Sequence, residues 1–128
     1  MTLVDTSVIV PWLDKSHAAH QACTKAIETW IQQEQLAVSA VTFAELAAGA
    51  RTREQVEAAL EVFERLEVDF DCAWRAGQAF RQYRRKQSDD PVLPDFFIRA
   101  QAAVLNLRHL THDRRRIKSF PDVDFELV

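Results

Sequence analysis

The sequence predicts a helix-rich three-layer α/β/α sandwich around a short, mostly parallel central sheet. Three observations carry that expectation. Short apolar runs alternate along the chain with longer segments of helical periodicity. Only two glycines and four prolines are present, so there is little material for long irregular loops. A length of 128 residues suits one compact core, and residues 1–128 read as a single domain.

Leu3-Val4 is an apolar run halted by Asp5, with Thr6 and Ser7 behind it as helix-capping residues. It reads as a buried strand feeding a short helix from Val8 to Leu13, in which Pro11 is a candidate kink. His17 to about Gln33 is expected to be a second helix, with Ala18, Cys23, Ile27, Trp30 and Ile31 at near-helical spacing. Leu36-Ala37-Val38 reads as the next strand. Ser39 then caps a strongly apolar helix through Ala50, closed by Gly49 and Arg51-Thr52.

Arg53 to Leu66 is read as one helix with Val56, Leu60 and Phe63 on a face, followed by a strand at Val68-Asp69-Phe70 and a helix from Asp71 to Lys86. Gln87-Ser88-Asp89-Asp90-Pro91 is the clearest loop. Pro94-Asp95 opens a helix in the favoured manner, proline in the first turn and an acid near the positive end, and the pattern runs on to Leu107. His109-Leu110-Thr111 and Phe125-Glu126-Leu127 complete the strands.

Hydrophobic residues at 48% and charged residues at 27% are an ordinary globular balance and argue against disorder. Cys23 and Cys72 stand far apart and form no CxxC pair, so a disulfide framework is not expected and a reducing cytoplasm is the default. The first residues carry no basic segment ahead of a long apolar run, which argues against a signal peptide. No stretch reaches the roughly 20 apolar residues that cross a bilayer, so a soluble protein is expected.

In a parallel sheet covered on both faces, ligands bind beyond the carboxyl ends of the strands. Acids just after strands are therefore the residues of interest. Asp5 follows the first strand directly, and Asp113 follows His109–Thr111 after one residue. Glu45 is a lone charge on an almost wholly apolar helix, and Asp95 lies between Leu93-Pro94 and Phe96-Phe97-Ile98. Taken singly, Asp5 and Asp113 read as ordinary cap or turn residues, and Glu45 as a residue at a helix edge. Taken together, three of the four sit in hydrophobic sequence, where a carboxylate is costly without a cation or hydrogen bonds. No lysine or arginine lies within a helical turn of Glu45. A divalent metal would meet that need, and hard oxygen donors without histidine or cysteine favour Mg²⁺ or Mn²⁺ over zinc.

Val4-Asp5-Thr6-Ser7-Val8-Ile9-Val10, Ser39-Ala40-Val41-Thr42-Phe43-Ala44-Glu45-Leu46, Leu93-Pro94-Asp95-Phe96-Phe97-Ile98-Arg99-Ala100 and Leu110-Thr111-His112-Asp113 together resemble the four motifs of PIN-domain proteins. More narrowly they resemble VapC-type toxins of toxin–antitoxin pairs, and the resemblance spans nearly the whole chain. It implies a PIN-like fold and hydrolysis of RNA phosphodiester bonds. It also implies an acidic site of Asp5, Glu45, Asp95 and Asp113 holding one or two Mg²⁺ or Mn²⁺ ions. The supporting hydroxyls would be Thr6 or Ser7, and Thr111. The resemblance further implies homodimers and a VapB-like antitoxin that blocks the site. Two positions depart from the pattern: Arg99 where these toxins often carry alanine, and His112 where arginine is frequent.

Within that chemistry Asp5 is the candidate bridge between two ions, being the acid fixed most directly by the sheet. Asp113 is assigned to a second ion or to outer water. The net charge of −3 disfavours nucleic acid at first sight. With the four site charges neutralised by metal it becomes +1, and two basic runs remain. Arg114, Arg115 and Arg116, with Lys118, stand directly after Asp113 and are candidate contacts to an RNA backbone; Arg81, Arg84, Arg85 and Lys86 are the weaker set. Either run also reads as a plain solvated face.

His17, His20 and Cys23 mimic a ligand spacing, yet spread over about 120° of helix arc with no fourth ligand, and read as structural. Trp12, Trp30 and Trp74, with Phe63 and Phe80, read as core or subunit interface. A phosphatase of the haloacid-dehalogenase type would need an acid where Ser7 stands, and a receiver domain would need an acidic pair and a late lysine that are missing. The remaining alternative is a non-catalytic PIN-like module that binds RNA or protein.

Overall fold

A computed structural model describes residues 1–86, 93–115 and 117–128, without the side chains of Arg85 and Lys86. The expected loop at Gln87–Pro91 and the candidate contact Arg116 lie outside the described residues.

The elements run β1 (Thr2–Val4), α1 (Thr6–Leu13), α2 (His20–Ile31), β2 (Leu36–Ser39), α3 (Ala40–Ala47), α4 (Arg53–Ala59), β3 (Glu64–Leu66), α5 (Phe70–Lys86), α6 (Pro94–Val104), β4 (Arg108–Thr111), a short 3₁₀ turn at Ile117–Ser119, and β5 (Phe125–Leu127). The sheet order is β3-β2-β1-β4-β5 and every pairing is parallel, so the mostly parallel sheet expected from the sequence is wholly parallel. Leu3 stands level with Ala37 on one side and His109 on the other.

Strand alternation divides the core between the two faces. Val4, Leu36, Val38 and Leu110 join Val8, Ile9, Cys23, Ile27 and Val56 from α1, α2 and α4. Leu3 and Ala37 point the other way, onto Ile98 and Ala102 of α6. Beneath α5 and α6 a further cluster gathers Ala76, Ala79, Phe96, Ala100 and Phe120. Phe96 is its centre, packed edge-on against Phe80 and Tyr83. The result is the three-layer sandwich, with helices on both faces of the sheet.

Residues 53–70 depart most from the elements expected of the sequence. The helix expected to reach Leu66 ends at Ala59, and residues 64–66 form β3, paired in register with Ala37–Ser39. This edge strand reads Glu-Arg-Leu and is largely exposed, so its charged residues imitate a helix surface while the ladder to β2 decides the outcome. The strand expected at Val68–Phe70 does not form. Asp69 accepts a hydrogen bond from the Cys72 backbone at 2.8 Å, and Phe70 is the first residue of α5. Other helices are trimmed: α2 starts at His20 rather than His17, α3 stops at Ala47 rather than Ala50, and α6 stops at Val104. Asn106 adopts φ 53° after α6, and Leu107 N–H donates to the Ala102 carbonyl at 2.8 Å, a left-handed helix stop that asparagine tolerates. At the other end, α1 begins two residues early, at Thr6.

The chain runs from β1 outward through β2 to β3, then returns to the other side of β1 for β4 and β5. The direction therefore reverses between β1 and β4, and in open parallel sheets a crevice opens at that point, outside the carboxyl ends of the strands. Asp5 follows β1 there, and Asp113 follows β4.

Candidate functional site

Asp5 is held from behind on one oxygen. Its Oδ2 accepts from Ser7 Oγ at 2.6 Å, from Thr111 Oγ1 at 3.0 Å, and more weakly from the Ser7 backbone at 3.4 Å as the N-cap of α1. Each hydroxyl gives its single proton to Asp5 and accepts in turn: Ser7 Oγ from His112 N–H at 2.9 Å, Thr111 Oγ1 from Asp113 N–H at 3.1 Å. A closed network thus ties the end of β4 to the start of α1 through Asp5. Among the described residues Oδ1 has no such donors, and it stands 3.7 Å from His109 Nε2.

Glu45 is placed by α3, whose N-cap is Ser39: Val41 N–H donates to Ser39 Oγ at 3.0 Å. Thr6 Oγ1 donates to Glu45 Oε1 at 3.0 Å and also meets Thr42 Oγ1 at 2.8 Å. Much of Glu45 is exposed at the cleft rim, but burial of its carboxyl raises its pKa above the ordinary 4.5; the Thr6 hydrogen bond opposes this, and the charges of Asp5 and Asp95 add to it. Asp95 lies in the first turn of α6, after Pro94.

Asp113 sits among arginines. Arg115 donates to Asp113 Oδ1 through its backbone at 2.9 Å and through Nε at 3.0 Å, and to Oδ2 at 3.1 Å. Burial acts to raise the Asp113 pKa, but the Arg115 bonds and the charges of Arg115 and Arg99 outweigh it and hold the carboxyl below its usual range. Arg99 is 3% exposed and reaches to 3.7 Å from Asp113 Oδ2.

All four acids line one cleft of about 380 Å³, together with Thr6, Ser7, His17, Arg99, His112 and Arg115. The negative charges of Asp5 and Asp95 on the same wall raise the proton affinity of Glu45. A cleft of this construction, at the reversal between β1 and β4, can hold a cation and present it to an anionic substrate.

The family model for the PIN domain matches residues 2–126. The chain belongs to the PIN-domain family. No curated protein sequence matches it. Its structural neighbours are VapC-type proteins of toxin–antitoxin pairs. VapBC2 from Rickettsia felis, solved on a promoter DNA fragment, shares 18% identity at a TM-score of 0.76, over 99% of this chain and 98% of the other. A toxin–antitoxin complex from Klebsiella pneumoniae shares 25% at 0.74, over 96% and 95%. VapBC-1 from nontypeable Haemophilus influenzae shares 22% at 0.76, over 98% and 96%. VapC20 from Mycobacterium tuberculosis, described as a Sarcin-Ricin loop cleaving toxin, shares 19% at 0.64, over 96% and 98%.

PIN nucleases generally use divalent metals, and the donor set here fits such an ion in kind and in charge. The donors are hard carboxylate oxygens, and among the described residues no lysine or arginine forms an ion pair with Asp5 or Glu45. The ligand shell is not closed in advance. Among the described residues, no three carboxylates, imidazoles or thiols stand close enough to chelate one ion.

The remaining residues singled out in the sequence divide. Thr6 supports Glu45, whereas Ser7 and Thr111 support Asp5. Of the basic run, Arg115 lines the cleft, Arg114 is exposed outside its lining, and Arg116 is not described. His17, His20 and Cys23 form no metal cluster: His17 Nδ1 accepts from Ala19 N–H at 3.0 Å, His20 Nδ1 meets the Pro11 carbonyl at 2.9 Å, and Cys23 is buried. Trp12 packs edge-on against Phe63, but Trp74 is 71% exposed and is no core residue.

Two residues of the site had no assigned role in the sequence reading. His109 is fully buried, its ring edge-on to Phe125, and among the described residues neither ring nitrogen has a hydrogen-bond partner. Burial lowers its pKa from 6.5 to about 4, Arg99 adds to that, and Asp5 opposes it, so the imidazole is neutral at physiological pH. Arg99 follows Asp95 by one helical turn, and that spacing was the available signal that both face the cleft.

Proposed function

We propose that this protein is a divalent-metal-dependent ribonuclease, the toxin of a toxin–antitoxin pair. The observation that carries the reading is that Asp5, Glu45, Asp95 and Asp113, drawn from four separate segments of a PIN-domain chain, line a single cleft. In this reading Asp5 and Glu45 are the first ligands of a Mg²⁺ or Mn²⁺ ion, Asp95 completes them directly or through water, and Asp113 is the outer acid. The chemistry such an ion supplies is Lewis acidity toward phosphate oxygens and a more acidic water.

The chain's own residues do the rest. Ser7 and Thr111 fix Asp5 so that Oδ1 faces the ion, and Thr6 fixes Glu45. Arg115 receives the phosphate backbone at the cleft mouth, with Arg114 outside the lining, and Arg116 shares the proposed role by its place in the sequence. A VapB-like antitoxin is the proposed inhibitor, in keeping with the VapBC complexes among the structural neighbours. Homodimerisation belongs to the same reading; Phe70 and Trp74, 95% and 71% exposed and one turn apart on α5, offer apolar surface for a second chain. Cys23 and Cys72 are both free, and no described helix is long and apolar enough to cross a membrane, which supports a cytoplasmic site of action.

The test is cleavage of total cellular RNA by the purified chain with Mg²⁺ or Mn²⁺, beside Asp5→Asn. The expected result is metal-dependent cleavage that the folded variant lacks. Equal cleavage by both would reject the assignment. Metal binding without cleavage would leave the non-catalytic module as the better account.

A further inference from the structure

His17 lines the cleft but has no part in the chemistry proposed above. It is exposed, in the turn between α1 and α2, and that turn is tied on both sides of it. Asp14 Oδ1 accepts from the Ser16 backbone at 3.0 Å and from Ser16 Oγ at 2.6 Å. The Asp14 carbonyl accepts from His17 N–H at 3.0 Å, and the His17 carbonyl from His20 N–H at 3.0 Å. The ring is fixed as well, because its Nδ1 accepts from Ala19 N–H at 3.0 Å.

That last bond sets the tautomer. A ring nitrogen that accepts carries no proton, so the proton of the neutral imidazole is on Nε2. Among the described residues Nε2 has no hydrogen-bond partner. In this form neither nitrogen offers the cleft a lone pair, so His17 is neither a metal ligand nor a general base. It is a neutral donor of one hydrogen bond.

The surface beside it is apolar. α1 enters the cleft twice: Thr6 and Ser7 in its first turn brace Glu45 and Asp5, and one turn on, about 5.4 Å along the axis, Val10 and Pro11 line it. Val10 is 36% exposed. Among the described lining residues the cations are Arg99 and Arg115, from α6 and from the segment after β4, and none comes from α1 or its turn. Phosphate oxygens bind most strongly where a cation donates to them. An apolar patch with one neutral donor suits an uncharged sugar or base instead.

Resting on the reading of this cleft as an RNA-cleaving site, we propose that Val10, Pro11 and His17 form a nucleoside subsite. Val10 and Pro11 cover one face of a nucleoside beside the scissile phosphate, and His17 Nε2–H donates to an uncharged oxygen on it, the ribose 2′-oxygen or a base carbonyl. His17 is thereby a residue of specificity that takes no part in breaking the bond.

Fluorescence anisotropy of a short labelled single-stranded RNA tests this, with the full chain carrying Asp5→Asn so that the RNA is not cut. Adding His17→Ala is expected to weaken binding about 3–10-fold, and His17→Gln, which keeps an N–H donor, to recover part of the loss. Equal affinity with and without His17→Ala would overturn the inference. Single 2′-deoxy and single abasic substitutions along the RNA then locate the acceptor. The cost of His17→Ala should vanish at one position, a deoxy site assigning the ribose oxygen and an abasic site the base. A cost that survives every such substitution would overturn the subsite, since a general loss of fold or a phosphate contact gives that result. No RNA binding by the chain with His17 intact would reject RNA as the substrate, a separable failure. Should His17→Ala fail to fold by circular dichroism, Val10→Ser carries the test in the same scan. It is expected to weaken binding and to lose that cost at one abasic position, and parent-like affinity would refute the subsite.

Discussion

His109 Nε2 lies 3.7 Å from Asp5 Oδ1, a buried neutral imidazole directly behind the carboxylate at the centre of the cleft. The contact is too long for a hydrogen bond. It fills the space behind Asp5 with a group whose protonation the surroundings resist.

That resistance makes stability depend on pH. The folded-state pKa is depressed to about 4, while the unfolded chain takes up a proton on this residue near 6.5. Between those values the unfolded state binds more protons, so stability falls as pH drops through the window and is insensitive to His109 above it. Urea unfolding of the metal-free protein across that range measures the slope. His109→Leu is expected to flatten it, and an unchanged slope would assign the effect elsewhere.

Ser7 and Thr111 donate to the same oxygen of Asp5, so removing either hydroxyl frees the carboxylate to rotate. Ser7→Ala and Thr111→Val are each expected to weaken Mn²⁺ binding about 10–100-fold. Circular dichroism should leave the helix content intact. Calorimetric titration checks this, and parent-like affinity in both variants would contradict the role given to the network.

Glu45 must lose its proton to bind a cation, and burial with two neighbouring acids keeps that proton on at higher pH than usual. Metal affinity is therefore expected to decline as pH falls, beginning above the ordinary 4.5 of a glutamate. Without metal the sign is reversed: a raised carboxyl contributes to stability while protonated, and the contribution is lost as pH rises through its folded value. Glu45→Gln should remove its share of both dependences in paired titrations.

Phe96 is fully buried among Phe80, Tyr83 and Phe120, and it adjoins Asp95 at the start of α6. Phe96→Ala is expected to cost about 3–5 kcal/mol in denaturant unfolding. Mn²⁺ binding should suffer with it, since the same turn carries Asp95. A loss below about 1 kcal/mol would mean that the cluster collapses into the space left behind.

Three of the acids could be found in the sequence because each breaks a local rule. Asp5 stops an apolar run, Glu45 interrupts an apolar helix, and Asp95 follows a proline within aromatic residues. The strand-end rule, which needs only the order of elements, brings together Asp5 and Asp113; that Glu45 and Asp95 join them was implied by the resemblance to the PIN-domain motifs. Arg99 and His109 were harder, because nothing local tells a buried cation or imidazole from an exposed one. His109 lies two residues before Thr111 and so shares its side of β4, a relation that matters only once Thr111 is known to touch Asp5. β3 was misread for the opposite reason: an edge strand of charged residues is specified by its neighbour, not by its own composition.

Asp5 and Thr111 are joined by a hydrogen bond across 106 positions of chain. The pocket is thus assembled only when the fourth strand docks beside the first. A nascent polypeptide still emerging from the ribosome, with its first hundred residues made, already carries Asp5, Glu45 and Asp95 but lacks Asp113 and the Thr111 hydroxyl that holds Asp5 in place. A chain that stopped short of β4 would keep three of the four acids and lose the cleft they line.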